Sequence, residues 1–150
     1  MKTLNEHTFP QYLNKDSGRA SWLVMKFGGT SVSSLDSWAT IRDLCQERLA
    51  YGFRPLIVHS ALATVSNRLE TMINTVAGED YHQHLNAIQI QHLELAASLG
   101  VDGEVILGGL FTELEHLLLD VQAARWVDPS SHARIMAMGE LMATTIGAAY

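Results

Sequence analysis

Apolar residues run unbroken from Trp22 to Met25 and the run closes at Phe27, and a second short run covers Pro55-Leu56-Ile57-Val58. Both are too short for an ordinary helix and carry branched or aromatic side chains, so residues 22–27 predict a first, buried strand and 55–58 a second. Between them Trp38, Ile41, Cys45 and Leu49 recur at helical spacing. That predicts a helix over 34–51, with Gly52 as its stop. Strand, helix and strand of these lengths make a βαβ unit over residues 22–59, with parallel strands and a right-handed crossover.

The pattern then turns wholly helical. Leu69, Met72, Ile73 and Val76 form a stripe that ends near Gly78. Tyr81, Leu85, Ile88, His92, Leu95 and Leu99 form the next, closed by Gly100, and Leu107, Leu110, Leu114, Leu117, Val121 and Ala124 a third. Asp128-Pro129 reads as an N-cap followed by proline at the first helical position. Ile135, Met138, Met142, Thr145 and Ala149 continue that last helix to Gly147-Ala148-Ala149-Tyr150, with no cap and no polar tail. Two strands are too few for a stable doubly wound sheet, so the pattern reads as the first part of something longer.

Composition narrows the class. A chain of 150 residues suits one domain with a real core. Apolar residues make up 47% against 17% charged, which leaves apolar surface for a partner. A net charge of −6 argues against non-specific nucleic-acid binding. The single cysteine, Cys45, forms no internal disulfide and fits a reducing cytoplasm. No apolar stretch approaches the roughly 20 residues that cross a bilayer. Residues 1–20 carry charges at Lys2, Glu6, Lys15 and Asp16 and no signal-peptide core, and read as a polar leader.

The chemistry concentrates where the first strand ends. Lys26-Phe27-Gly28-Gly29-Thr30-Ser31-Val32 brings a lysine and a Gly-Gly turn from a strand to a helix N-terminus. Glycines let backbone N–H groups approach an anion, the helix end favours negative charge, and the lysine adds a mobile cation. The ligand of such a device is most often a phosphate. The spacing differs from the Walker loop, which needs a longer spacer before Gly-Lys-Ser/Thr.

These seven residues resemble the N-terminal signature of the aspartokinases, members of the amino-acid kinase superfamily. The second strand leads into His59-Ser60-Ala61-Leu62-Ala63-Thr64-Val65-Ser66-Asn67, at the carboxyl end where open α/β sheets bind ligands. Read physically, Ser60 and Ser66 offer hydroxyls, and Thr64 or Ser66 as a plain helix cap is the commoner alternative. The segment is similar to the aspartokinase pattern Val-Ser-Ala-x-x-Gly-Val-Thr-Asn, with Thr64 at the glycine and Ser66 at the threonine. Met136-Ala137-Met138-Gly139-Glu140 puts a glycine and a carboxylate on an apolar helix. A helical glycine costs about 1 kcal/mol against alanine and tends to mark a close approach. Periodicity alone points Glu140 to solvent. The family's Ser-x-Gly-Glu helix, here with Ala137 for serine, makes it a substrate ligand.

The resemblance covers most of residues 22–150 and implies a truncated three-layer αβα amino-acid-kinase-like fold, helix-rich. The implied function is aspartate kinase: ATP and L-aspartate give ADP and 4-phospho-L-aspartate, early in the biosynthesis of lysine, threonine and methionine. On that basis Lys26 stabilises the transferring phosphoryl group, Gly28, Gly29, Thr30 and Ser31 line it, and Ser60, Ser66 and Glu140 hold aspartate. ATP with Mg²⁺ is the implied cofactor, with no protein metal site. A cytoplasmic homo-oligomer, without nucleic-acid or membrane partners, is the implied setting. The serines beside Val32 and Trp38 resemble the subfamily fused to a diaminopimelate decarboxylase. The family's Arg-Gly-Gly-Ser-Asp and Tyr-Thr-x-Asp-Pro runs are absent from these residues, so residues 21–150 hold the substrate half without the nucleotide half. The 150-residue chain is therefore expected to be inactive alone and to self-associate, which sedimentation would read.

Two alternatives remain. One is another kinase of the superfamily, acting on glutamate or carbamate, which a substrate screen separates. The other is a non-catalytic assembly module, which gel filtration and a ligand titration separate. Other features carry less. His82 and His84 diverge on a helix, and His92 sits in an apolar stripe as a hydrogen-bonded core or interface histidine. Gly108-Gly109 follows no lysine and reads as packing or a helix break. Glu113, Glu115 and Asp120 read as a solvated face.

Overall fold

The computed structural model describes residues 21–75 and 81–150. Residues 1–20, and Val76 and Gly78 at the expected end of one helix, lie outside the described residues. Strand β1 (Trp22–Phe27) leads through a 3-10 turn (Gly29–Val32) to helix α1 (Leu35–Ala50) and strand β2 (Arg54–His59). Four helices follow: α2 (Val65–Thr75), α3 (His82–Ser98), α4 (Gly103–Ala124) and α5 (Pro129–Ala149).

β1 and β2 pair in parallel, with Trp22 opposite Arg54 and Phe27 opposite His59. The βαβ unit thus forms at the expected residues, and the chain is a helix-rich α/β structure with a small parallel sheet. The first strand is not buried as its apolar run suggested. Trp22, Val24, Leu56 and Val58 share the outward face and are 65%, 61%, 48% and 44% exposed. The reason is one of supply. The helices cover only the other face, where Leu23, Met25, Ile57 and His59 are half-buried.

Local chemistry sets the helix ends. Ser34 Oγ accepts from the Ser37 N–H and starts α1. Gly52, at φ +83°, ends it: the Gly52 N–H reaches Leu49 O and the Phe53 N–H reaches Arg48 O, a Schellman pair. Gly100, at φ +74°, closes α3 the same way, with the Gly100 N–H on Ala97 O and the Val101 N–H on Ala96 O. Asp128 caps α5 by accepting from the Ser130 and Ser131 N–H groups, and Pro129 follows at the first turn. Hydrogen bonds from the Ser131 hydroxyl and N–H hold the Asp128 carboxyl below its ordinary range.

The main core lies among α2, α3, α4 and α5, where Leu69, Met72, Ile88, Leu107, Leu114, Ile135, Met138 and Met142 are fully buried. The expected stripes face this core, with drift at their edges: Phe111 and Leu118 are buried, while Leu49 and Ala124 are exposed. His92 is buried, its Nδ1 2.7 Å from Ile88 O, and burial pushes its pKa down, which favours the neutral ring. Gly108 and Gly109 neither break α4 nor admit a neighbour, for a Cβ on either would meet nothing within 4 Å.

Candidate functional site

The end of β1 does not run directly into a helix N-terminus. Gly28 leads into the 3-10 turn, whose Ser31 N–H bonds Gly28 O at 3.0 Å. α1 starts only at Leu35 and is capped by its own Ser34. The anion-holding device expected from the sequence is therefore a glycine turn without the end of a long helix behind it. Trp38 pins the turn from α1, its indole N–H donating to Val32 O at 2.9 Å.

The second loop lies against this turn. The Ser60 N–H reaches Phe27 O at 3.3 Å and carries the strand pairing one residue past β2. A Cβ on Gly29 would stand 2.6 Å from Ala61 O, so only glycine allows the two backbones this close. Ser33 Oγ joins them, 2.5 Å from Gly29 O and 2.9 Å from the Ala63 nitrogen. From α3, Gln91 Nε2 donates to Ala63 O at 2.9 Å.

The third segment meets the same loop. A Cβ on Gly139 would stand 2.9 Å from the Ala61 Cβ, 3.1 Å from Val65 Cγ1 and 3.2 Å from Leu69 Cδ1. The glycine in the middle of α5 thus marks a close approach, as its position suggested. Ala61, 3% exposed, is the point where all three segments converge.

The candidate side chains surround this hub. Lys26, Thr30, Ser31 and Glu140 are exposed, and Gly28, Gly29, Ser60 and Ser66 are half-buried. A Cβ on Gly28 would meet nothing within 4 Å, so the space before it is open. None of the polar side chains at positions 26, 30, 31, 60, 66 and 140 bonds another described residue. Neither Thr64 nor Ser66 caps α2 through its side chain. The structure unites the three backbone segments but draws no direct contact between Lys26 and Glu140. Among the described residues no group of three His, Cys, Asp or Glu side chains is placed to hold a metal ion.

Three participants escaped the sequence: Ser33, Gln91 and Ala61. Their partners lie about thirty residues away or more, so no local pattern announces them. A groove between α4 and α5, lined by Thr112, Glu113, His116, Asp120 and Arg134, holds none of the candidate residues. Glu113, expected only to face solvent, pairs there with Arg134 at 3.3 Å.

Thr64 sits at φ +71°, in the left-handed region that favours glycine. A β-branched residue there costs about 1–2 kcal/mol. Thr64→Gly relieves this, offset in part by the greater freedom glycine gives the unfolded chain. A net gain of about 0.5–1 kcal/mol is expected. Urea melts check it, and a destabilised Thr64→Gly chain would dismiss the strain.

No protein-family model matches the chain. Aspartokinase 3, chloroplastic, of Arabidopsis thaliana is 32% identical over 146 residues, 92% of this chain and 25% of that protein. The aspartokinase of Chlamydia trachomatis is 34% identical over 129 residues, 85% of this chain and 27% of that protein. The chain is an aspartokinase homologue over that span. It covers about a quarter of the length of these curated relatives. The fold agrees: aspartokinase III of E. coli, in complex with aspartate and ADP, superposes with a TM-score of 0.71 over 86% of this chain and 28% of that one, at 24% identity. In the homologue described here the glycine of the family's second motif is Thr64. The Thr64 backbone lies in the left-handed region that favours glycine.

Proposed function

We propose that this chain forms the aspartate-binding and phosphoryl-binding part of an aspartate kinase. The observation that carries the reading is the convergence of the Gly28-Gly29 turn, the Ser60–Ser66 segment and Gly139-Glu140 on Ala61. Polar side chains that bond no other described residue surround that point. Phosphoryl transfer to a carboxylate needs alignment and neutralised charge more than covalent help. Lys26 places its ammonium where a phosphoryl group carries negative charge, and the open space at Gly28 lets oxygens approach the backbone. Ser60 and Ser66 donate to the aspartate carboxylates, and Glu140 pairs with the α-ammonium.

ATP with Mg²⁺ supplies the phosphoryl group when bound. The exposed Lys26, Thr30 and Ser31 suit a polyanion, and Mg²⁺ would accompany the nucleotide phosphates. Catalysis then needs nucleotide contacts beyond the motifs found here, so the 150-residue chain is expected to bind aspartate without turning it over. Cytoplasmic residence and a place in lysine biosynthesis belong to this proposal, as does a decarboxylase fusion, which the downstream coding sequence tests. Among the described residues no helix is long and apolar enough to cross a membrane. The outward sheet face of Trp22, Val24, Leu56 and Val58 supports self-association as a part of the same reading.

Titration calorimetry tests the substrate. L-Aspartate is expected to bind in preference to glutamate or carbamate. Glu140→Gln is expected to weaken aspartate about 10-fold or more, since a hydrogen bond to a charged group contributes about 1.5–3 kcal/mol. An unchanged aspartate affinity in Glu140→Gln leaves Glu140 a solvent-facing residue.

A further inference from the structure

We propose that Ser33 is a positioning residue that couples the phosphate turn to the substrate loop. The proposal rests on the reading of these two segments given above. The Ser33 hydroxyl donates to Gly29 O at 2.5 Å, within its own turn. The same oxygen accepts from the Ala63 N–H at 2.9 Å, thirty residues away. One hydroxyl therefore uses its proton on one loop and a lone pair on the other. A side chain with only a donor or only an acceptor cannot do this.

The clasp acts where the substrate loop is under most strain. Ala63 precedes Thr64, whose φ of +71° a β-branched residue adopts only when its surroundings impose it. Both polar backbone groups of Ala63 are held by side chains from outside the loop: the N–H by Ser33 and the carbonyl by Gln91 at 2.9 Å. Val65 continues the constraint, its N–H bonded to Leu62 O at 3.1 Å. The Ser33 bond is part-buried and spans the contact where Gly29 leaves no room for a Cβ against Ala61 O. Shifting Ala63 moves Ser60 on one side and Ser66 on the other, together with their distance from Gly28 and Gly29. Ser33 thus sets the separation of donors that must face a carboxylate and a phosphoryl group at once. It touches neither.

Removing the hydroxyl leaves the Ala63 N–H and the Gly29 carbonyl without their partner. The test compares Ser33→Ala with Ser33→Thr, which keeps a hydroxyl, in the full 150-residue chain. Amide hydrogen exchange reads the clasp without any ligand. The Ala63 amide is expected to exchange at least about 10-fold faster in Ser33→Ala, the loss of one hydrogen bond, and at close to the original rate in Ser33→Thr. Calorimetry with L-aspartate reads the coupling, with an affinity several-fold weaker in Ser33→Ala and restored in Ser33→Thr. An unchanged Ala63 exchange rate in Ser33→Ala overturns the clasp. Faster exchange with unchanged aspartate affinity makes the bond structural only and overturns the positioning role. A parent chain that binds no aspartate defeats the substrate reading itself, and the positioning role falls with it, while the exchange result still reports on the clasp.

Discussion

Lys26→Ala, in a catalytically competent enzyme that contains these residues, is expected to lower turnover about 10²–10³-fold, the usual loss when one preorganised donor to a developing charge is removed. Lys26 is the last but one residue of β1, opposite Val58, and only Phe27 separates it from the glycine turn. Lys26 is exposed and bonds no described residue, so among the described residues no partner competes for its ammonium. The backbone beneath it is fixed by strand pairing, which limits the change to the charge itself. Lys26→Arg keeps the charge but replaces a compact ammonium by a planar fork, and is expected to recover only part of the rate. Steady-state turnover at saturating aspartate and ATP is the measurement. A Lys26→Ala enzyme within a few-fold of the parent removes Lys26 from the mechanism.

The elements were legible where one physical signal dominated. Helix α3 and the stripe from Tyr81 to Leu99 agree because a long 3.6-residue period admits few alternatives, and Gly52 and Gly100 ended helices where their left-handed φ was needed. Gly139 stood out because a glycine in an apolar helix has to be explained, and its contact with Ala61 explains it. The burial of β1 was not legible. An apolar run reports affinity for cover, whereas cover depends on how many helices reach the sheet. The start of α1 at Ser34 was legible, but the 3-10 turn between Gly28 and that cap was not, because Thr30 and Ser31 carry no pattern that announces it. Ser33, Gln91 and the strain at Thr64 depend on contacts across about thirty residues or on a single dihedral angle. The departure from the family pattern at Thr64 marked a residue whose backbone is left-handed, a feature that the sequence pattern by itself does not display.

The largest effect on stability is expected at Trp38, for reasons that tie the fold to the site. Trp38 is 4% exposed, and its ring packs on α5 so closely that a Cβ on Gly147 would stand 2.2 Å from its Cη2. His59 and Tyr150 meet the indole edge-on, with ring centroids at 5.5 Å and 6.2 Å. Its N–H holds Val32 O, the last residue of the turn that contains Gly29. Trp38→Ala removes the ring and the donor together, and a loss of about 3–5 kcal/mol is expected. For a chain of this length each kcal/mol shifts the midpoint by roughly 2–4 °C, so thermal melts resolve it easily. Trp38→Phe separates the two contributions. It restores most of the packing but leaves the Val32 carbonyl without its donor, at a cost of about 1–3 kcal/mol. A Trp38→Ala chain destabilised by less than about 1 kcal/mol would mean that α5 and the sheet close over the space, contrary to the partial relaxation usual for buried rings. If Trp38→Phe instead proved as costly as alanine, the bond to Val32 rather than the ring would hold the phosphate turn against α1.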